Sequence, residues 1–213
     1  MKKTAVVIGV GEGLGKSLTR QFGSNDYRVF MLARNTDKLN SISDELATNN
    51  IESVPVQADI TDKTSFMNGL KTIKESTDGI DVLIYNAGIT APDGDHLTLD
   101  LLNDHLNLEV VGAYQAVLEL QDEISLVNGS ILFTGGFAAV QPFPGFLGLA
   151  VGKAALRNLA KGLHDNFQSK NIFVGTVTIY GQIKPETHFA PDKIAEAFWK
   201  INQDRNEWEI DYK

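Results

Sequence analysis

The sequence predicts an α/β chain with helices on both faces of one mainly parallel sheet, and three observations point to it. Short runs rich in β-branched residues alternate with stretches of helical spacing along the whole length. The strand candidates are apolar throughout rather than alternating, as expected for strands buried on both faces. A glycine-rich turn, "GVGEGLG", joins the first strand candidate to the first helix candidate. The 213 residues, 43% of them hydrophobic, suffice for one sizeable core and fall short of two. A single domain over residues 1–213 with six to seven strands is therefore expected.

The elements follow in order. "TAVVIGV" (4–10) is the first strand, and Leu14, Leu18 and Phe22 then recur at helical spacing. "YRVFMLA" (27–33) is the second strand; Asn35 is placed to cap a helix that carries Leu39, Ile42 and Leu46 on one face. "SVPVQA" (53–58) is the third strand, followed by a helix over 61–76 capped by Thr61 or Asp62. "IDVLIYNAG" (80–88) runs as a fourth strand into a turn, and residues 99–124 form one long helix. "GSILFTGG" (129–136), a second long helix over 146–168, and "NIFVGTVTIYG" (171–181) come next. A last helix over 191–201 begins at Pro191, and "EWEIDY" (207–212) reads as an edge strand. Strands separated by helices require crossover connections, which give a parallel sheet covered on both faces.

The balance of charge narrows the partners. A formal charge of -8 and a pI near 5.0 exclude the clustered cations that nucleic acid needs, and leave no basic patch for an anionic membrane. There is no cysteine, hence no disulfide and no thiolate chemistry, which suits a reducing cytoplasm. The opening "MKKTAVVIGV" carries two lysines before an apolar run, but "GEGLGK" breaks that run and it reads as a strand. No apolar stretch reaches the length of a membrane span. The histidines at 96, 105, 164 and 188 form no ligand cluster, so no metal is expected; surface positions are expected for most of them.

In such sheets ligands sit outside the carboxyl ends of the strands, so motifs there carry the function. The glycines of the first turn, Gly9, Gly11, Gly13 and Gly15, depart from the plain G-x-G-x-x-G pattern because Leu14 interrupts it. Gly9, Gly13 and Gly15 fit a wider G-x-x-x-G-x-G spacing. Such a turn lets backbone amides approach a pyrophosphate at a helix N-terminus, or lets helix and strand pack closely. At the end of the second strand, Ala33 stands where an acidic residue would bind a ribose 2′-hydroxyl, and Arg34 follows. A guanidinium there can pair with a 2′-phosphate, which favours NADP over NAD. Glu12 in the glycine loop opposes that pairing if it lies close. Asp59 could accept from an adenine amino group with Ile60 against the ring, or cap the next helix. Asn86 could tie neighbouring strands together while Ala87 and Gly88 leave room for a ribose. Together these place a dinucleotide on a Rossmann-like, doubly wound sheet.

With "GVGEGLG", "LARN", "ADI", "NAG", "GSILFTGG" and "GKAALRNLAKGL", the chain resembles the short-chain dehydrogenase/reductase family over residues 4–200. The resemblance implies hydride transfer between NAD(P) and a small carbonyl or alcohol. It implies a tyrosine as proton donor, a serine beside it, a lysine that holds the nicotinamide ribose, and an asparagine on the long fourth helix. It also implies a homodimer or homotetramer formed through helices 99–124 and 146–168.

Of those four residues only Lys153 stands in its place. Leu149 occupies the tyrosine position, Gly136 the serine position and Glu109 the asparagine position. Tyr180 replaces a proline after the sixth strand and is the best-placed substitute acid, ahead of Tyr85, Tyr114 and Thr134, although a place in the pocket wall is expected of it before a proton donor's role. Glu109 could serve if burial raised its pKa. Gly181 and Ile183 complete the expected cofactor contacts, and His188 is the one histidine placed near the substrate segment. That segment, 182–190, is short, so the substrate site should be open or small. An atypical NADP-dependent oxidoreductase is expected; a non-catalytic NADP-binding sensor or scaffold is the alternative.

Overall fold

The computed structural model describes residues 2–213. Seven strands form one sheet in the order β3-β2-β1-β4-β5-β6-β7, with every neighbouring pair parallel. They are β1 (Lys3–Ile8), β2 (Tyr27–Ala33), β3 (Ser53–Gln57), β4 (Val82–Tyr85), β5 (Ser130–Gly136), β6 (Phe173–Ile179) and β7 (Glu209–Tyr212). The chain winds outward through β2 and β3, then returns to the other side of β1 for β4. The switch in strand order therefore falls between β1 and β4, where their carboxyl ends open a crevice.

Side chains of successive strand residues enter two separate cores. Val6, Ile8, Phe30 and Leu32 face one layer, which holds α3 (Lys63–Lys74), α5 (Gly112–Ser125) and α6 (Leu147–Phe167). Ala5, Val7, Val29 and Met31 face the other, which holds α1 (Leu14–Gly23), α2 (Thr36–Ala47) and α7 (Pro191–Asp204). Both faces being covered explains why the strands carry no polar alternation. Phe22 ties three elements of the second layer: its ring lies 5.4 Å from Tyr27 on β2 and 5.3 Å from Trp199 on α7, both edge-on.

Local signals place the helix starts. The Asn35 side chain accepts from the Lys38 amide at 2.9 Å, and Pro191 opens α7. Asp62, not Thr61, caps α3, accepting from the Thr64 and Ser65 amides. Thr98 caps α4 (Leu99–Leu106). The long helix expected over 99–124 is interrupted: a π turn over Asn107–Val111 separates α4 from α5 and closes from the Gly112 amide to the Asn107 carbonyl. Tyr85 donates to the Leu108 carbonyl inside that turn.

The edge strand β7 is pinned by charge. Arg157 grips Glu209 with two bonds of 2.7 and 2.5 Å, and the Thr178 hydroxyl donates to the same carboxylate at 2.6 Å. The short segment after β6 is a compact turn held onto β7. The Tyr212 hydroxyl donates to the His188 carbonyl at 2.9 Å, and the two rings stack at 4.9 Å. Among the described residues no helix is long and apolar enough to cross a membrane.

Candidate functional site

The glycine turn sits at the β1–β4 switch. Gly9 has φ of +88°, a conformation that side chains rarely adopt, and a Cβ there would stand 2.6 Å from the Ala87 amide nitrogen. The Gly9 and Val10 amides both donate to the Leu32 carbonyl, which folds the turn against β2. A Cβ on Gly15 would lie 2.7 Å from the Val10 Cα, so α1 approaches β1 as closely as glycine permits. Gly11 and Gly13 differ: nothing lies within 4 Å of a Cβ at either, so the space above them is open. Gly13 is the N-cap of α1 and supplies no side-chain bond. The Lys16 and Ser17 amides donate to the Gly11 and Gly13 carbonyls, while the Leu14 and Gly15 amides at the very start of the helix have no capping side chain. Leu14 turns its own side chain into the core and offers the site only backbone.

Asn86 locks the turn to the sheet. Its amide nitrogen donates to the Gly9 carbonyl and its oxygen accepts from the Thr134 hydroxyl, both at 2.9 Å, so one side chain spans β1, β4 and β5. Ala87 packs under Gly9, and Gly88 is exposed above Lys153.

At the β2 end, Arg34 is exposed and makes no ion pair among the described residues. Glu12 is occupied by Lys16, which also pairs with Glu45. Both carboxylates raise the Lys16 pKa, the Glu45 contact most strongly. Asp59 accepts from the Thr61 amide and hydroxyl at 2.9 and 2.7 Å. Partial burial works to raise its pKa, but the Thr61 bonds and then the Arg34 charge outweigh burial and hold it below the usual carboxylate range. Asp59 thereby takes a turn-forming role, one oxygen engaged with Thr61. Ile60 packs against Gly112 of α5.

The opposite wall holds the buried charges. Lys153, 8% exposed, donates to the Thr134 carbonyl at 3.1 Å and stands 3.3 Å from Glu109 Oε2. That second approach is a charge contact without good hydrogen-bond alignment, since Oε2 has no aligned donor. Glu109 and His105 are both 0% exposed, and His105 Nδ1 lies 2.9 Å from Glu109 Oε1. His105 Nε2 is buried and unpartnered. His105 is thus not among the surface histidines: α6 packs over it where Gly148 and Gly152 leave room. His96 and His188 are exposed, and the His164 ring contacts the Val174 carbonyl at 2.9 Å. The signal for His105 was its four-residue spacing to Glu109, matched by the same spacing of Gly148 and Gly152.

The substitute acids fall in different places. Tyr85 is buried, and burial followed by the nearby Glu109 charge drives its pKa far up. Tyr114 is 43% exposed on the outer face of α5. Tyr180 is half-buried with its ring 5.1 Å from Phe137 and under the Lys213 ammonium at 4.6 Å; burial and then Asp211 raise its pKa. Gly181 is held beneath the Phe189 ring, and Ile183 is 40% exposed beyond it. At Gly136 a Cβ would meet only Lys153 Cγ, at 4.0 Å. Two open grooves elsewhere, one around His164 and Glu207 and one around Lys3 and Gln203, touch neither the glycine turn nor Lys153.

Comparison with known proteins agrees with this architecture. A family model described as short chain dehydrogenase matches residues 3–188. The NADPH-dependent 1-acyldihydroxyacetone phosphate reductase of Saccharomyces cerevisiae is 27% identical over 175 residues, covering 81% of this chain and 59% of that protein. The human protein named inactive hydroxysteroid dehydrogenase-like protein 1 is 25% identical over 175 residues, 80% of this chain and 53% of that one. The chain thus spans little more than half the length of these two relatives. Among solved structures, a metagenomic short-chain oxidoreductase in complex with NADP superposes with a TM-score of 0.87 at 20% identity, covering 98% of this chain and 95% of that one. With its sheet order, its glycine turn and a family match over most of its length, the chain belongs to the short-chain dehydrogenase family.

Proposed function

We propose that the protein is an NADP(H)-dependent oxidoreductase that moves a hydride to or from a small carbonyl or alcohol, with an atypical apparatus for the proton. The observation that carries this reading is the open, uncapped start of α1 beneath Gly11 and Gly13. No side chain fills that cradle, its amides suit a pyrophosphate, and the unpaired Arg34 suits a 2′-phosphate. Gly9, Gly15, Asn86 and Ala87 keep the cradle in shape, and Asp59, Ile60, Gly88, Gly181 and Ile183 are assigned to the flanks of the cofactor. Lys153 is assigned to the nicotinamide ribose. When bound, NADPH would supply the hydride and NADP+ would accept it. Tyr180 is assigned the proton; burial and then Asp211 raise its pKa, which makes it a weaker acid than an ordinary phenol. The NADP complex of a structural relative and the NADPH in the name of the yeast relative support this choice of cofactor.

The alternative, a cofactor-binding sensor or scaffold, is favoured by Leu149 and Gly136, which remove the two hydroxyls of the family's chemistry. Val111 at the end of the π turn and Tyr114 and Leu118 on α5 leave an apolar stripe exposed, suited to the homodimer the family resemblance implies. A cytoplasmic location fits a chain without cysteine.

Fluorescence titration with NADPH and NADH, followed by carbonyl substrates in the same sample, tests the reading. NADPH should bind more tightly than NADH, and Arg34→Glu should weaken NADPH by about tenfold or more while leaving NADH little changed. Turnover would separate the oxidoreductase from the sensor, and failure to bind either cofactor would sink both.

A further inference from the structure

We propose that Glu109, held in place by His105, is the anion that replaces the missing tyrosine as partner of Lys153, and that both are positioning residues for the cofactor-binding lysine. The proposal rests on the NADP(H) reading above. A buried ammonium is costly unless paired. In a family member with tyrosine one turn before the lysine, a phenolic oxygen stands on that side; Leu149 offers no acceptor. Lys153 here donates to the Thr134 carbonyl at 3.1 Å, and its ammonium stands in charge contact with Glu109 Oε2 at 3.3 Å. Nζ lies directly against Gly88, where a Cβ would come within 3.2 Å of it.

The packing around the pair is specific to it. His105 and Glu109 are four residues apart, as are Gly148 and Gly152 on α6. A Cβ at 148 would lie 2.5 Å from the His105 ring, and one at 152 would lie 3.1 Å from the Glu109 carboxyl carbon. Each glycine thus makes the space its opposite side chain fills. The π turn over Asn107–Val111 carries Glu109, and irregular turns of this kind re-aim a side chain. The Ile89 amide, at 3.4 Å, gives Glu109 Oε1 a second donor beside His105. The charged or titratable groups around Lys153 are Glu109 and His105 from the α4 side and Tyr85 from β4. Asp93, which caps α6 through the Leu147 and Gly148 amides, comes from the preceding loop. On α6 itself, Arg157 is committed to Glu209.

The test is NADPH affinity against pH for the wild type, Glu109→Gln, Glu109→Asp and His105→Gln, with melting curves for Glu109→Gln, Lys153→Met and their double variant. An unpaired buried ammonium releases its proton at lower pH than an exposed one. Glu109→Gln should therefore bind NADPH almost normally near about pH 6 and lose about tenfold or more in affinity toward about pH 9, where the wild type stays flat. Glu109→Asp should recover part of that loss, and His105→Gln, which alters the contact to Glu109 Oε1, should show a smaller loss of the same kind. The double variant should melt no lower than the worse single variant. A Glu109→Gln profile parallel to the wild type, or melting losses that add, would overturn the proposal. If Glu109→Gln does not fold, folding of the double variant supports the pair and its failure refutes it. Absence of NADPH binding by the wild type would fell the cofactor reading alone, and the melting cycle would still decide the pair.

Discussion

Replacing Asn86 with alanine should loosen the nucleotide end of the sheet, and the size of the effect follows from two bonds. The side chain donates to the Gly9 carbonyl and accepts from the Thr134 hydroxyl, each at 2.9 Å. A hydrogen bond of this kind contributes a net ~1 kcal/mol, and a buried group left without its partner costs ~1–3 kcal/mol. Thr134 is buried at 7% exposure, so the upper part of that range applies to its hydroxyl. The sum is about 3 kcal/mol, which in a chain of this size lowers Tm by about 6–12 °C. Scanning calorimetry reads it directly. Thr134→Val removes one of the two bonds from the other side, so Thr134→Val with Asn86→Ala should cost less than the sum of the single variants. NADPH affinity should fall with Asn86→Ala, because Gly9 then loses its brace. A Tm within about 2 °C of the wild type would show that the bridge does not hold the turn, and would remove the reasoning from Asn86 to the cofactor.

Two other outcomes are expected. Gly136→Ser with Leu149→Tyr rebuilds the family's pair of hydroxyls where a Cβ at 136 meets nothing closer than 4.0 Å; since a general acid contributes ~10²–10⁴ in rate, NADPH oxidation with a ketone panel should rise at least about tenfold, and a folded variant with no gain would place the defect in hydride geometry instead. Asp59 titrates below the usual carboxylate range, so its contribution is complete above the unfolded pKa of about 3.9 and is lost as pH falls through the folded one; urea midpoints of the wild type should therefore drop below about pH 4 more than those of Asp59→Asn, and equal drops would refute the assignment.

Much of the frame was legible because it depends on residues close together in the chain. Asn35 caps α2 through the amide three residues on, and Pro191 opens α7, both of them local geometry. The apolar runs announced strands buried on both faces, and parallel strands need crossover helices whatever the side chains. The glycine turn itself was legible from its motif, while the open space at Gly11 and Gly13 was not. Boundaries shifted where pairing with a neighbour decides them: β6 ends at Ile179, although the apolar run continues to 181.

By itself, then, the sequence determined the fold class and the glycine turn between β1 and α1, and it put Leu149 and Gly136 where the family resemblance implies tyrosine and serine, since each is a matter of residue identity at a local spacing. Tertiary structure alone decided what Lys153 touches. His105 follows Asp104 on a helix that a one-dimensional reading turns to solvent, and Glu109 lies in a π turn that helical periodicity does not announce. Both are buried because α6 approaches through Gly148 and Gly152, and that approach joins residues more than forty positions apart. Burial of a charge depends on which surface covers it, and no spacing within one helix records what the neighbouring helix leaves empty.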